Sequence, residues 1–115
     1  MHELSLAGGI LKIVEDTARR DAFVRVTLLR LEAGALAGVE VRALRFALEA
    51  IAPGTLLQGA RIEIDTPLAR AWCMPCGATV DIKARGDPCQ RCGGYQLQPD
   101  GGSELRIVDM MVEDI

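Results

Sequence analysis

Residues 73–92 read CMPCGATVDIKARGDPCQRC, and all four cysteines of the 115-residue chain lie in this stretch. They form two C-x-x-C pairs with twelve residues between them, a spacing that suits one tetrahedral S₄ site. Two residues between cysteines let a tight turn aim both sulfurs at one ion. Gly77 and Gly93, which follow the pairs, let the backbone fold close enough for N–H groups to support thiolates. Pro75 and Pro88 stiffen the two turns. Zinc leads among the occupants, followed by iron of the rubredoxin type, which accepts the same ligands. A redox C-x-x-C comes last, because such a motif stands alone at the start of a helix, whereas here it is doubled.

Working outward, the chain is long enough for one main core, and a second lobe would need help from a metal. Aromatics are scarce, with Phe23, Phe46, Trp72 and Tyr95 the whole set, so the core must be aliphatic and no platform for stacked bases is evident. The net charge of −3 argues against a phosphate-binding surface. No apolar run approaches the roughly 20 residues that span a bilayer. The N-terminus has no basic region before its apolar residues, so it does not read as a secretory signal. These absences, with cysteines in metal spacing, lead to the expectation of a reducing cytoplasm and no membrane partner.

Residues 4–20 fit an amphipathic helix, with Leu6, Ile10, Ile13, Val14 and Thr17 at helical spacings and Gly8 and Gly9 weakening it. AFVRVTLLRLE (residues 22–32) is rich in β-branched and large apolar side chains and predicts a strand, broken by AGALAG. Residues 39–52 place Leu44, Ala47, Leu48 and Ile51 on one helical face, with Glu40 in the first turn read as a solvated carboxylate. Pro53-Gly54 ends that helix. RIEIDTP (residues 61–67) alternates as a half-buried strand, and residues 69–73 lead as another strand into the cysteine loop. ELRIVDMMVED (residues 104–114) returns as the last strand, to the sheet begun by the first. The expected fold is therefore α+β: a small mixed sheet with two helices, residues 1–68 and 103–115, and an inserted zinc-ribbon-like lobe, residues 69–102.

His2 is the sole histidine, directly after Met1. A bulky second residue disfavours removal of the initiator, which leaves a free α-amine. The Met1 amine, the His2 backbone nitrogen and imidazole, and the Glu3 backbone nitrogen can close contiguous chelate rings. Such a nitrogen-rich planar set suits Ni(II) or Cu(II) better than zinc, which prefers tetrahedral surroundings. The competing reading is a frayed, solvated end. Enzyme chemistry is disfavoured: four thiolates close the metal site, whereas a catalytic zinc keeps an open position, and one histidine builds no Cys/His or Ser/His/Asp set. A zinc-ribbon module binding protein or nucleic acid remains as an alternative. Asp81, Asp87 and Asp100 around the loop weaken its nucleic-acid form.

The opening MHELSLAGGI, the helix and strand order, the CMPCG and CQRCGG knuckles and the closing ELRIVDMMVE together resemble the hydrogenase nickel-incorporation family (HypA/HybF) over essentially the full length. The resemblance implies a nickel metallochaperone rather than an enzyme. It implies Ni(II) as transient cargo at Met1, His2 and Glu3, and a structural Zn(II) at Cys73, Cys76, Cys89 and Cys92. It also implies work in the cytoplasm with a GTPase partner to load the [NiFe]-hydrogenase large subunit, with urease maturation proteins and a homodimer as further associations. One departure stands out: some members carry histidines beside the zinc cysteines, and this chain has none.

Overall fold

The computed structural model describes residues 2–114. The element order is α1 (His2–Asp21), β1 (Phe23–Ala33), α2 (Val41–Ile51), β2 (Arg61–Asp65), β3 (Ala69–Cys73), β4 (Ala78–Ile82), β5 (Leu97–Pro99) and β6 (Leu105–Asp114). The chain forms two compact units. The first comprises Met1–Leu31, Val39–Ile64 and Ile107–Ile115, and the second comprises Glu32–Gly38 and Asp65–Arg106.

In the first unit, α1 buries Ala7, Ile10, Val14 and Ala18, a stripe spaced three or four residues apart. The expected face shared only Ile10 and Val14 with it. Ile13 is 55% exposed, because it lies to the side of the stripe that Ala7, Ile10, Val14 and Ala18 bury. Gly8 and Gly9 sit on the outer side in open space. The second helix starts at an N-cap, Glu40, whose carboxylate accepts the Arg42 N–H, satisfying one orphan donor of the first turn. It buries Leu44 and Leu48 completely, and the Arg45 guanidinium donates to the Ile62 carbonyl.

β1 is the central strand of a three-stranded sheet ordered β2-β1-β6, so the last strand does return beside the first. Arg25 faces Glu113 at 4.0 Å and Arg30 faces Asp109 at 3.3 Å, with the Thr27 hydroxyl donating to the Met111 carbonyl between them. Partner numbers fall as β1 advances, the signature of an antiparallel pair. These ion pairs are exposed and contribute register more than stability.

The second unit holds two strands beyond those expected. The interval between the knuckles contains β4, antiparallel to β3 with Cys73 opposite Ala78 and Ala69 opposite Ile82. Beyond the second knuckle, β5 pairs antiparallel with the other side of β3. One face of this sheet is a small core of Ala69, Ala71, Cys73, Val80 and Ile82, joined by Leu36 and Cys89. The Asp87 carboxylate accepts the N–H groups of Lys83 and Ala84 at 3.1 and 3.0 Å and so shapes the turn toward the second knuckle. No helix among the described residues is long and apolar enough to cross a membrane.

Candidate metal centre

The two knuckles repeat one local design. Gly77 N–H donates to the Cys73 carbonyl at 2.9 Å, and Gly93 N–H to the Cys89 carbonyl at 2.8 Å. Both glycines are left-handed, at φ 61° and 74°, a region closed to most residues with a Cβ. The glycine after each C-x-x-C is therefore a requirement of the turn that points both sulfurs the same way. A further backbone bond, Cys89 N–H to the Gly94 carbonyl at 2.7 Å, closes the second knuckle.

The four sulfurs lie within 4.8 Å of one another. Cys73 Sγ is 3.6 Å from Cys92 Sγ and Cys76 Sγ is 3.9 Å from Cys89 Sγ. A disulfide would need about 2.05 Å. A tetrahedron built on zinc–sulfur bonds of about 2.3 Å has edges near 3.8 Å, so the donor set fits a thiolate-bound divalent ion. Arg91 N–H points at Cys89 Sγ and Gly94 N–H at Cys92 Sγ, both at 3.4 Å, orienting the sulfurs and offsetting their charge. Cys73 and Cys89 are buried, Cys76 is half-buried and Cys92 is exposed.

As free thiols these groups perturb one another. Backbone N–H donation from Cys92 and Arg91 holds the Cys89 thiol down to about 6. Hydrogen bonding with Cys73 and Cys92, together with desolvation, pushes the Cys76 thiol up to about 12. Cys73 is raised as well, by desolvation and its contact with Cys92, against the lowering effect of the Cys76 backbone. Four sulfurs this close cannot all ionise unless a cation is present.

At the other candidate site, the Met1 amine lies outside the described residues. His2 opens α1 and is exposed, and Glu3 is half-buried. Glu3 Oε2 accepts the Glu40 N–H at 3.2 Å, so the carboxylate of the third residue reaches the N-terminus of α2. This brings Glu40, set aside in the sequence reading, beside Glu3 across a separation of 37 residues. Its position before an apolar helical pattern, where caps occur, was the one signal that could have drawn attention to it. Both carboxylates are engaged with backbone N–H groups at the start of α2, Glu3 with Glu40 and Glu40 with Arg42, which ties the terminal segment to that helix.

Comparisons with known proteins cover nearly the whole chain. The family described as hydrogenase/urease nickel incorporation, metallochaperone, hypA matches residues 1–112. A hydrogenase maturation factor HypA from Polaromonas naphthalenivorans is 68% identical over 99% of both chains. Another, from Cupriavidus necator, is 68% identical over 99% of this chain and 96% of its own. The solution structure of the Ni metallochaperone HypA from Helicobacter pylori shares the fold, with a TM-score of 0.68 at 16% identity over 98% of each chain. With two helices, small sheets and a four-cysteine cluster in place, the chain belongs to the HypA family of hydrogenase-maturation nickel metallochaperones, which are not enzymes.

Proposed function

We propose that this chain binds Ni(II) at its N-terminus through Met1, His2 and Glu3 and hands it on, with a GTPase partner, to the large subunit of [NiFe]-hydrogenase in the cytoplasm. Nickel is cargo. The observation that carries this reading is the family match over residues 1–112, which takes in both the terminal MHE and the two knuckles. Residues 1–68 and 103–115 form the nickel-binding domain, and residues 69–102 hold a structural zinc at Cys73, Cys76, Cys89 and Cys92. Urease maturation proteins and a second copy of the chain are further partners consistent with it.

The chemistry of the terminus supports transport. His2 is exposed, so an open planar ion there can exchange ligands from the solvent side without unfolding. The amine and the imidazole must be deprotonated to bind, so nickel affinity falls as pH falls. Glu3, engaged with the Glu40 N–H, contributes its backbone nitrogen while its side chain anchors the segment to α2.

The test is a nickel titration of tag-free protein starting at Met1, followed by absorbance and chelator competition, alongside His2→Ala. The expected result is one planar nickel per chain in the wild type, with a d–d spectrum lost in His2→Ala while zinc is retained. Equal binding by both proteins would exclude the terminal site.

A further inference from the structure

The zinc-lobe sheet is packed on one face only, and the sequence places its bulk on the wrong side for a finished domain. The inner face of β3 carries Ala69, Ala71 and Cys73, all buried. The alternation of the same strand sends Arg70 and Trp72 outward, flanked by Leu68 and Met74. Leu68 is 47%, Trp72 43% and Met74 62% exposed, and Tyr95, just before β5, is 72% exposed. A chain with only four aromatics has put two of them here, and Trp and Tyr are the residues that anchor interfaces.

The face has two dissimilar ends. At one, Met74, Tyr95, Leu97 and the amides of Gln96 and Gln98 line a concavity of about 410 Å³. At the other, Glu32, Asp100 and Glu104 line a second of about 230 Å³ with Arg70 and Arg106. Arg106 is engaged by Glu32 at 3.0 Å, while Asp100 and Glu104 have no side-chain partner among the described residues. Three carboxylates against two guanidiniums leave this end acidic. Trp72 stands between the two ends in register, opposite Gln98 on β5 and Thr79 on β4.

We propose that this outer face docks an extended segment of another protein, with a Lys or Arg seated at the acidic end and a large apolar side chain in the Met74/Tyr95 concavity. Two strands of five residues and one of three make a face of at most about 14 by 16 Å, far below the roughly 800 Å² per partner of a stable dimer. A single peptide segment fits that area; a second copy of this chain does not. An extended segment turns alternate side chains to one side, matching the two-residue period of Arg70, Trp72 and Met74. From the Arg70/Asp100 row to the Met74/Gln96 row is four strand steps, about 13 Å. Four steps of an extended segment also span about 13 Å, with alternate side chains on one side, which sets the basic and apolar side chains four apart and the residue between them over Trp72.

The sole tryptophan makes the test direct. Protein labelled with 5-fluorotryptophan gives one ¹⁹F resonance, followed while the capped peptide Ac-Lys-Ser-Pro-Ser-Leu-NH₂ is added. The expected result is a saturable shift that weakens at least tenfold when Lys is replaced by Glu, and again in Tyr95→Ala and Glu104→Gln variants that unfold at the wild-type temperature. No saturable shift at millimolar peptide, or equal shifts from the Lys and Glu peptides, would overturn it. So would a resonance that moves with protein concentration alone, which would identify a second copy as the occupant. Nickel takes no part in the measurement, so its outcome is independent of the terminal site.

Discussion

Gly102 leaves no room for a side chain. Its φ is 82°, and a Cβ there would run into the side chain of Ala69 and come within 2.8 Å of the Ala69 Cα. Its carbonyl accepts the Leu36 N–H at 2.7 Å, and a Cβ on Gly34 would in turn collide with the Gly102 backbone. The three small residues let segments 32–38, 67–70 and 100–104 cross at backbone distance, locked by Gly34 N–H to the Glu104 carbonyl at 2.9 Å and Ala35 N–H to the Pro67 carbonyl at 3.0 Å. Gly102→Ala combines a left-handed penalty with overpacking, so it should destabilise the lobe by roughly 2–4 kcal/mol. Gly101 has a similar φ, 89°, but open space around its missing Cβ. Gly101→Ala should therefore cost only about 1 kcal/mol. Urea denaturation of the two variants checks the contrast, and equal midpoints would show that the crossing is not tight.

Helix α1 ends with a residue poorly suited to ending it. Ala22 takes φ 60° and donates its N–H to the Ala18 carbonyl at 2.8 Å, the left-handed stop that glycine normally supplies. Ala22→Gly should raise stability by up to about 1 kcal/mol, read as a higher thermal midpoint. A lower midpoint would mean that the methyl group packs usefully. The absence of glycine or proline at this boundary is also why the sequence read on from helix to strand without a turn signal. Elsewhere the elements were legible in proportion to their length and period. Both helices, β1, β2, β3 and β6 carry apolar residues at the right spacing. In β4, Thr79 and Asp81 alternate with Val80 and Ile82, a strand signal that was present but subsumed in the loop between the knuckles. At three residues ending in Pro99, β5 is too short to show any period. The cysteine cluster was readable because its chemistry is written in local spacing. The approach of Glu40 to Glu3 was not, because a contact between residues 37 positions apart leaves no local mark.

At the scale of the molecule, the two units rest on different sources of stability. The first buries Val14, Val26, Leu29, Leu44 and Leu48 at 1% exposure or less, an aliphatic core adequate for a small domain. The inner face of the second consists of two alanines, two cysteines and three larger aliphatics, so the proposed structural zinc would carry much of its stability. Metal removal should therefore act on one unit and spare the other. In hydrogen exchange read by mass spectrometry, chelation should abolish protection across residues 69–99 while α2 and β1 keep theirs. Acid should act the same way. All four thiols must be deprotonated to hold the ion, and their tendency to reprotonate grows as pH falls. As a free thiol, Cys89 has the depressed value, so its contribution is present above the ordinary thiol range near 8.5 and is lost as pH falls through about 6. Zinc release, followed with a colorimetric chelator, should rise as pH falls and coincide with the loss of exchange protection in the second unit. Protection that persisted in metal-free protein would show that this small inner face folds without the ion and that the metal is not structural.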